Sequence, residues 1–136
     1  MEINLENLFA NKTIKAKAKV KQAGDWLLDG EISVEELLAF TKTKAGTDKA
    51  SCIEAYEYAT KKNPGIADET LLTYITATLN EEEPRIKWES AKVIGNMAKL
   101  FPAKLNKTIS NLLVNAKHDG TVVRWATAYA LVKYLS

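Results

Sequence analysis

Residues 84–95 read Pro84-Arg85-Ile86-Lys87-Trp88-Glu89-Ser90-Ala91-Lys92-Val93-Ile94-Gly95, and residues 122–131 read Val122-Val123-Arg124-Trp125-Ala126-Thr127-Ala128-Tyr129-Ala130-Leu131. A shift of 37 residues lays Lys87-Trp88 on Arg124-Trp125 and Ala91 on Ala128. In the first stretch Trp88, Ala91, Gly95 and Ala98 fall on one helical stripe, and Ile86, Val93, Met97 and Leu100 fall on the opposite side. A helix that is apolar on two faces has to be covered on both, which a stacked layer does and a surface helix does not. Gly95 gives up about 1 kcal/mol of helix propensity relative to alanine, so its place in mid-helix predicts the close approach of a neighbouring helix.

The periodicity continues outward. A shift of 38 carries Pro64 onto Pro102, Leu71 onto Ile109, Tyr74 onto Leu112, Ile75 onto Leu113 and Thr78 onto Ala116. Recurrence at 37 to 38 residues is the signature of a helical repeat. The punctuation agrees: Pro64-Gly65, Pro84 and Pro102 stand about one helix apart, and Gly30, Gly46 and Gly120 mark further breaks. Ser33 with Glu36 has the spacing of a capping box ahead of Leu37, Leu38 and Phe40. Thr47 and Asp48, Asp68, Pro84, Pro102 and Thr121 are each expected to open a further helix. Ile3, Leu5, Leu8 and Phe9 predict a short amphipathic turn at the start, and Thr13–Leu28 predicts a helix with a narrow stripe of Ala16, Val20, Ala23 and Leu27.

Composition narrows the function. The chain has 136 residues, 46% hydrophobic and 26% charged, with 19 basic against 17 acidic side chains and a net charge of +2. That suits one domain, 1–136, with a core of its own. The charge is too slight to point to nucleic acid by itself. One cysteine, Cys52, and one histidine, His118, exclude an internal disulfide and a zinc site of paired ligands. No serine-nucleophile elbow, zinc-binding helix motif or phosphate-binding glycine loop occurs, so no catalytic residue, cofactor or metal is expected. No apolar run is long enough to span a membrane. The opening residues lack an export signal, and with a lone cysteine they lead to the expectation of a cytoplasmic protein.

The two quoted stretches resemble the first helices of units in the HEAT repeat family: a proline or β-branched opener, a basic-Trp pair, then small residues one and two turns on. Asp119-Gly120 before Val-Arg-Trp is similar to that family's inter-repeat junction. The resemblance is carried by residue 84 onward and reaches 47–83 through the repeat. It implies an all-α fold, a right-handed α-α superhelix of about three and a half helix pairs. It also implies a non-enzymatic scaffold that mediates protein-protein interaction. Hydroxylases of this architecture need repeated His-Glu pairs, and none occurs here. DNA glycosylases of similar fold use an Asp near a Trp with an Arg close by, whereas Trp88 is followed one turn on by Lys92.

Three groups of residues are candidates for binding. Arg85, Lys92 and Lys99 share one strip of their helix, with Glu89 and Asn96 alongside, and predict a basic ridge for an acidic partner. Trp88, Arg124 and Trp125 place cations beside indoles, which supports an alternative reading as a nucleic-acid-binding module. The last helix is apolar almost all round. Val122, Trp125, Ala128, Tyr129, Val132 and Leu135 form the face expected to pack back on the preceding pair. Val123, Ala130, Leu131 and Tyr134 then remain outward, and Val123, Leu131 and Tyr134 are the expected contacts for a protein partner or a second copy. Lys12, Lys15, Lys17, Lys19 and Lys21 are read as a solvated helix surface.

Overall fold

A computed structural model describes the backbone of residues 2–135 and the side chains of residues 2–134. Among them the chain is all-helical, with eight α-helices and no strand. These are α1 (Leu5–Ala10), α2 (Ala16–Leu28), α3 (Val34–Lys42), α4 (Gly46–Lys62), α5 (Glu69–Thr78), α6 (Pro84–Met97), α7 (Asn106–Asn115) and α8 (Thr121–Leu135).

The helix ends follow local chemistry. Asn4 Oδ1 accepts from the Asn7 amide at 3.0 Å, and Asp68 Oδ1 accepts from the Leu71 amide at 2.8 Å. The capping box at α3 is complete: the Glu36 amide donates to Ser33 Oγ at 3.0 Å, and the Ser33 amide donates to Glu36 Oε1 at 3.2 Å. Pro84 occupies the first turn of α6, where its missing N–H costs nothing. Pro102 opens a single 3₁₀ turn over Pro102–Lys104, and α7 begins after it at Asn106. That places the start of α7 later than Pro102 alone predicts. Thr121 is the first helical residue of α8 rather than its cap.

The even-numbered helices pack in sequence, α2 on α4, α4 on α6 and α6 on α8, and each odd helix from α3 onward packs on the even helix that follows it. Contacts at matching ends show that the even helices run in the same direction. Arg85 near the start of α6 reaches Glu54 on α4 at 2.7 Å, and Asn96 near its end reaches Thr60 at 3.1 Å. Between α5 and α7, Thr76 and Thr108 share a hydroxyl hydrogen bond at 2.7 Å, and Asn115 Nδ2 donates to the Leu79 carbonyl at 3.0 Å. The core lies between the odd and even sets and is led by Leu37, Ile53, Tyr56, Leu71, Ile75, Ile94, Met97 and Leu112. Tyr56 brings its one polar atom inside by donating to the Val34 carbonyl at 2.7 Å.

The neighbour predicted for Gly95 is α8. A Cβ on Gly95 would stand 2.5 Å from Tyr129 Cε2 and 3.3 Å from the Cα of Ala130. Gly24 on α2 meets Tyr58 on α4 in the same way. Both tyrosines reach past the glycine to the next residue: Tyr58 Oη donates to Asp25 Oδ1 at 2.8 Å, and Tyr129 Oη donates to Asn96 Oδ1 at 2.6 Å. Lys62 lies 4.8 Å from the centre of the Tyr58 ring, and Lys133 lies 5.7 Å from that of Tyr129. Gly24, Asp25, Tyr58 and Lys62 thus recur as Gly95, Asn96, Tyr129 and Lys133, each 71 positions on. Two consecutive helix pairs make one unit of this recurrence, which the single-pair shifts of 37 and 38 do not reveal.

Candidate binding groove on the even helices

The packing register between α6 and α8 corrects the expected equivalence of the two tryptophans. Gly95 meets Tyr129, 34 positions on, three fewer than the shift that superposes Trp88 on Trp125. Three residues turn a helix through about 300°, so the indoles occupy different surroundings. Trp88 is half-buried against the core, whereas Trp125 is 70% exposed.

The same register reverses most of the expected faces of α8, although Tyr129 packs back on α6 as expected. Val123 is 1% exposed, Ala126, Thr127 and Ala130 are buried with it, and Leu131 and Tyr134 pack partly buried against the core. Val122, Trp125, Ala128 and Val132 face outward instead. The side chain of Leu135 lies outside the described residues. The cause is steric. Gly95 leaves room for the Tyr129 ring and for the close approach of the Ala130 backbone, so the face that carries Ala126, Tyr129 and Ala130 turns toward α6. Val123, Leu131 and Tyr134 are therefore packing residues in this chain.

The basic ridge divides. Arg85 Nη2 donates to Glu54 Oε1 at 2.7 Å, and its Nε lies 3.9 Å from Glu89 Oε2. Lys92 Nζ is 3.8 Å from Glu89 Oε1. Lys99, on the 3₁₀ turn after α6, is exposed and has no acidic partner among the described residues. Glu89, expected beside the exposed strip, is only 3% exposed, and its Oε1 has no hydrogen-bond partner. Burial is the main reason that its carboxyl titrates high, at about 8, and the carboxyl of Glu54 adds to this. Burial also raises the Glu57 carboxyl.

Two adjoining hollows open across α6, between α4 and α8. The larger, about 440 Å³, is lined by Glu57 and Lys61 of α4, Lys92 of α6, and Val122, Trp125, Ala126 and Tyr129 of α8. The second, about 370 Å³, is lined by Lys61 and Thr60, by Asn96, Lys99 and Leu100, and by Tyr129 and Lys133. Lys61 and Tyr129 belong to both, so the hollows form one groove. Its middle is rigid: Asn96 accepts from Tyr129 while its Nδ2 donates to the Glu57 carbonyl and to Thr60 Oγ1, both at 3.1 Å.

The groove uses Lys92, Lys99 and Trp125 from the residues singled out in the sequence, and adds Lys61, Tyr129, Lys133 and Glu57. Those four come as two pairs from separate helices, Glu57 and Lys61 on α4 and Tyr129 and Lys133 on α8, so no single periodic stretch groups them. The recurrence at 71 positions is the signal that picks out Tyr129 and Lys133. The other candidates lie elsewhere or are engaged. Arg124 donates to the carbonyls of His118 and Asp119, both at 2.8 Å, and braces its own loop rather than an indole. Lys87 Nζ donates to the Leu79 carbonyl at 3.1 Å. In the early lysine tract, Lys19 donates to the Phe9 carbonyl at 2.7 Å and Lys21 pairs with Asp25 at 2.8 Å. Cys52 is fully buried and its thiol is pushed up to about 12, which makes it unreactive. His118 Nδ1 accepts from the Gly120 amide at 2.9 Å in the α7–α8 junction. Among the described residues no cluster of three metal-ligating side chains occurs, and no helix is long and apolar enough to cross a membrane.

No family model matches the chain, and neither a curated protein nor a solved structure matches it.

Proposed function

We propose that this chain is a HEAT-like module, a right-handed superhelix of helix pairs that works without catalysis by binding a protein partner through the outward face of its C-terminal helix. The architecture is supported by same-direction even helices stacked in order and by the recurrence of the Gly-Tyr contact from one two-pair unit to the next. One observation carries the binding role: Trp125 holds its indole 70% exposed on a helix whose other face is close-packed. Exposed tryptophan is costly surface for a domain to keep, and tryptophan is enriched among residues that dominate interface energies. Val122 and Val132 extend the apolar surface along α8.

Nucleic-acid binding is the second reading, because Trp125 stands beside lysines that line the groove. The same side of the even helices carries Glu54 and Glu57, which interrupt a continuous phosphate track, and Arg124 is committed to its loop. These observations favour the protein partner.

The test is affinity capture from lysate on the whole chain, with and without nuclease, beside the Trp125→Ala variant. A protein retained after nuclease treatment and lost with Trp125→Ala is the expected result. Loss on nuclease treatment, with binding that falls steeply as salt rises, would establish the nucleic-acid reading instead.

A further inference from the structure

The two copies of the glycine-tyrosine contact differ in charge. At Tyr58 the residue after the glycine is Asp25, which also neutralises Lys21 at 2.8 Å. At Tyr129 that residue is Asn96, an uncharged acceptor of the same shape, so Lys92, the counterpart of Lys21, loses its carboxylate there. Lys92 keeps the more distant Glu89, at 3.8 Å, and acts on the Glu57 carboxyl across the groove. Lys61 also acts on the Glu57 carboxyl, Lys99 makes no ion pair among the described residues, and Lys133 leans on the Tyr129 ring at 5.7 Å. The groove thus gathers four ammonium groups around one lining carboxyl, that of Glu57. Exposed apolar surface from Trp125, Val122 and Leu100 lies among them.

We infer that this groove docks a short acidic peptide segment of a partner protein, seating one large apolar side chain against Trp125 and its acidic side chains on Lys61, Lys92, Lys99 and Lys133. The inference rests on the protein-binding reading above and adds the partner's chemistry. Charge complementarity selects the occupant. The positive region is short and ends at the Glu54–Arg85 ion pair toward the start of α6, which suits a few carboxylates rather than a long polyanion. The apolar hollow of about 440 Å³ is of the size that takes a bulky anchor. The network of Asn96, Tyr129, Glu57 and Thr60 holds the floor in place before anything binds, which limits the ordering cost of docking.

A displayed library of random short peptides, panned against the whole chain, tests this directly. The enriched peptides should be net acidic with one large apolar residue. A fluorescent copy of the consensus should lose roughly tenfold or more in affinity for Trp125→Ala, and similarly for the triple variant Lys61→Gln/Lys99→Gln/Lys133→Gln. Lys104→Gln/Lys107→Gln, away from the groove, should bind like the parent. All these changes lie on the surface, and circular dichroism verifies that each variant is folded. Enrichment of neutral or basic peptides, no enrichment, or an acidic consensus indifferent to the groove variants would overturn the assignment. Tighter binding of a short oligothymidine that displaces the peptide would overturn it in favour of nucleic acid. In lysate capture the two readings part: a partner retained equally by every groove variant removes this assignment alone, whereas no nuclease-resistant partner removes the protein-binding reading itself.

Discussion

Glu89 shows how far surroundings rule a residue's chemistry. A helical wheel places it on the strip with Arg85 and Lys92, yet the neighbouring helices leave it only 3% exposed. Two cations lie just under 4 Å away, but burial outweighs them, and Glu54 supplies a second carboxyl that favours a retained proton. The sign of the linkage follows. The folded chain keeps this proton up to about pH 8, while the unfolded chain releases it near the ordinary glutamate value of 4.5. Between these values the folded state binds the extra proton, so stability falls as pH rises. Glu57 is shifted in the same direction. Chemical denaturation should therefore give higher stability at pH 5 than at pH 8. Glu89→Gln should flatten that dependence and gain on the order of 1–3 kcal/mol at pH 8. A Gln variant that is less stable at pH 8 and keeps the parent's slope would show that Glu89 is charged and usefully paired.

At the scale of elements, the clearest predictions concern ends and close approaches. Ser33→Ala removes one arm of the capping box on α3 and should cost about 1 kcal/mol in denaturant midpoint experiments. Gly95→Ala should destabilise although alanine is the better helix former. A new Cβ would collide with the Tyr129 ring and crowd the Ala130 backbone, and overpacking of this kind costs about 1–3 kcal/mol. Adding Tyr129→Ala should recover part of the loss, because the ring is the nearer obstacle; strictly additive losses in the double-mutant cycle would contradict this packing. The same elements explain what was legible beforehand. Ser33/Glu36, Asp68 and Pro84 announced helix starts because capping is chemistry between neighbours in sequence. The inward face of α8 was not legible, since Val, Ala, Leu, Tyr and Trp surround that helix and leave hydrophobic periodicity with no direction to report. Packing partners distant in sequence, among them Gly95, decide which side goes in. The groove was half legible for a related reason: Lys92, Lys99 and Trp125 stood out singly, but Lys61 and Lys133 join them through α4–α6–α8 packing.

For the whole molecule, the consequence of packing each even helix against the next is that α2 and α8 do not depend on each other directly. In such an arrangement stability is a sum over neighbours rather than a property of one centre. α4 and α6 each have an even helix on both sides, whereas α8 packs on one among the described residues. Native-state hydrogen exchange should therefore be slowest in α4 and α6 and faster in α7 and α8. Gly95→Ala gives the decisive perturbation, because it weakens the α6–α8 junction while leaving Gly24 against Tyr58 untouched. It should speed exchange in α8 and in α7, which packs on it, and leave the amides of α2 and the first turns of α4 close to parent rates. An equal acceleration from α2 to α8 would mean that the chain opens as one cooperative body, and the additive picture of successive helix pairs would have to be given up.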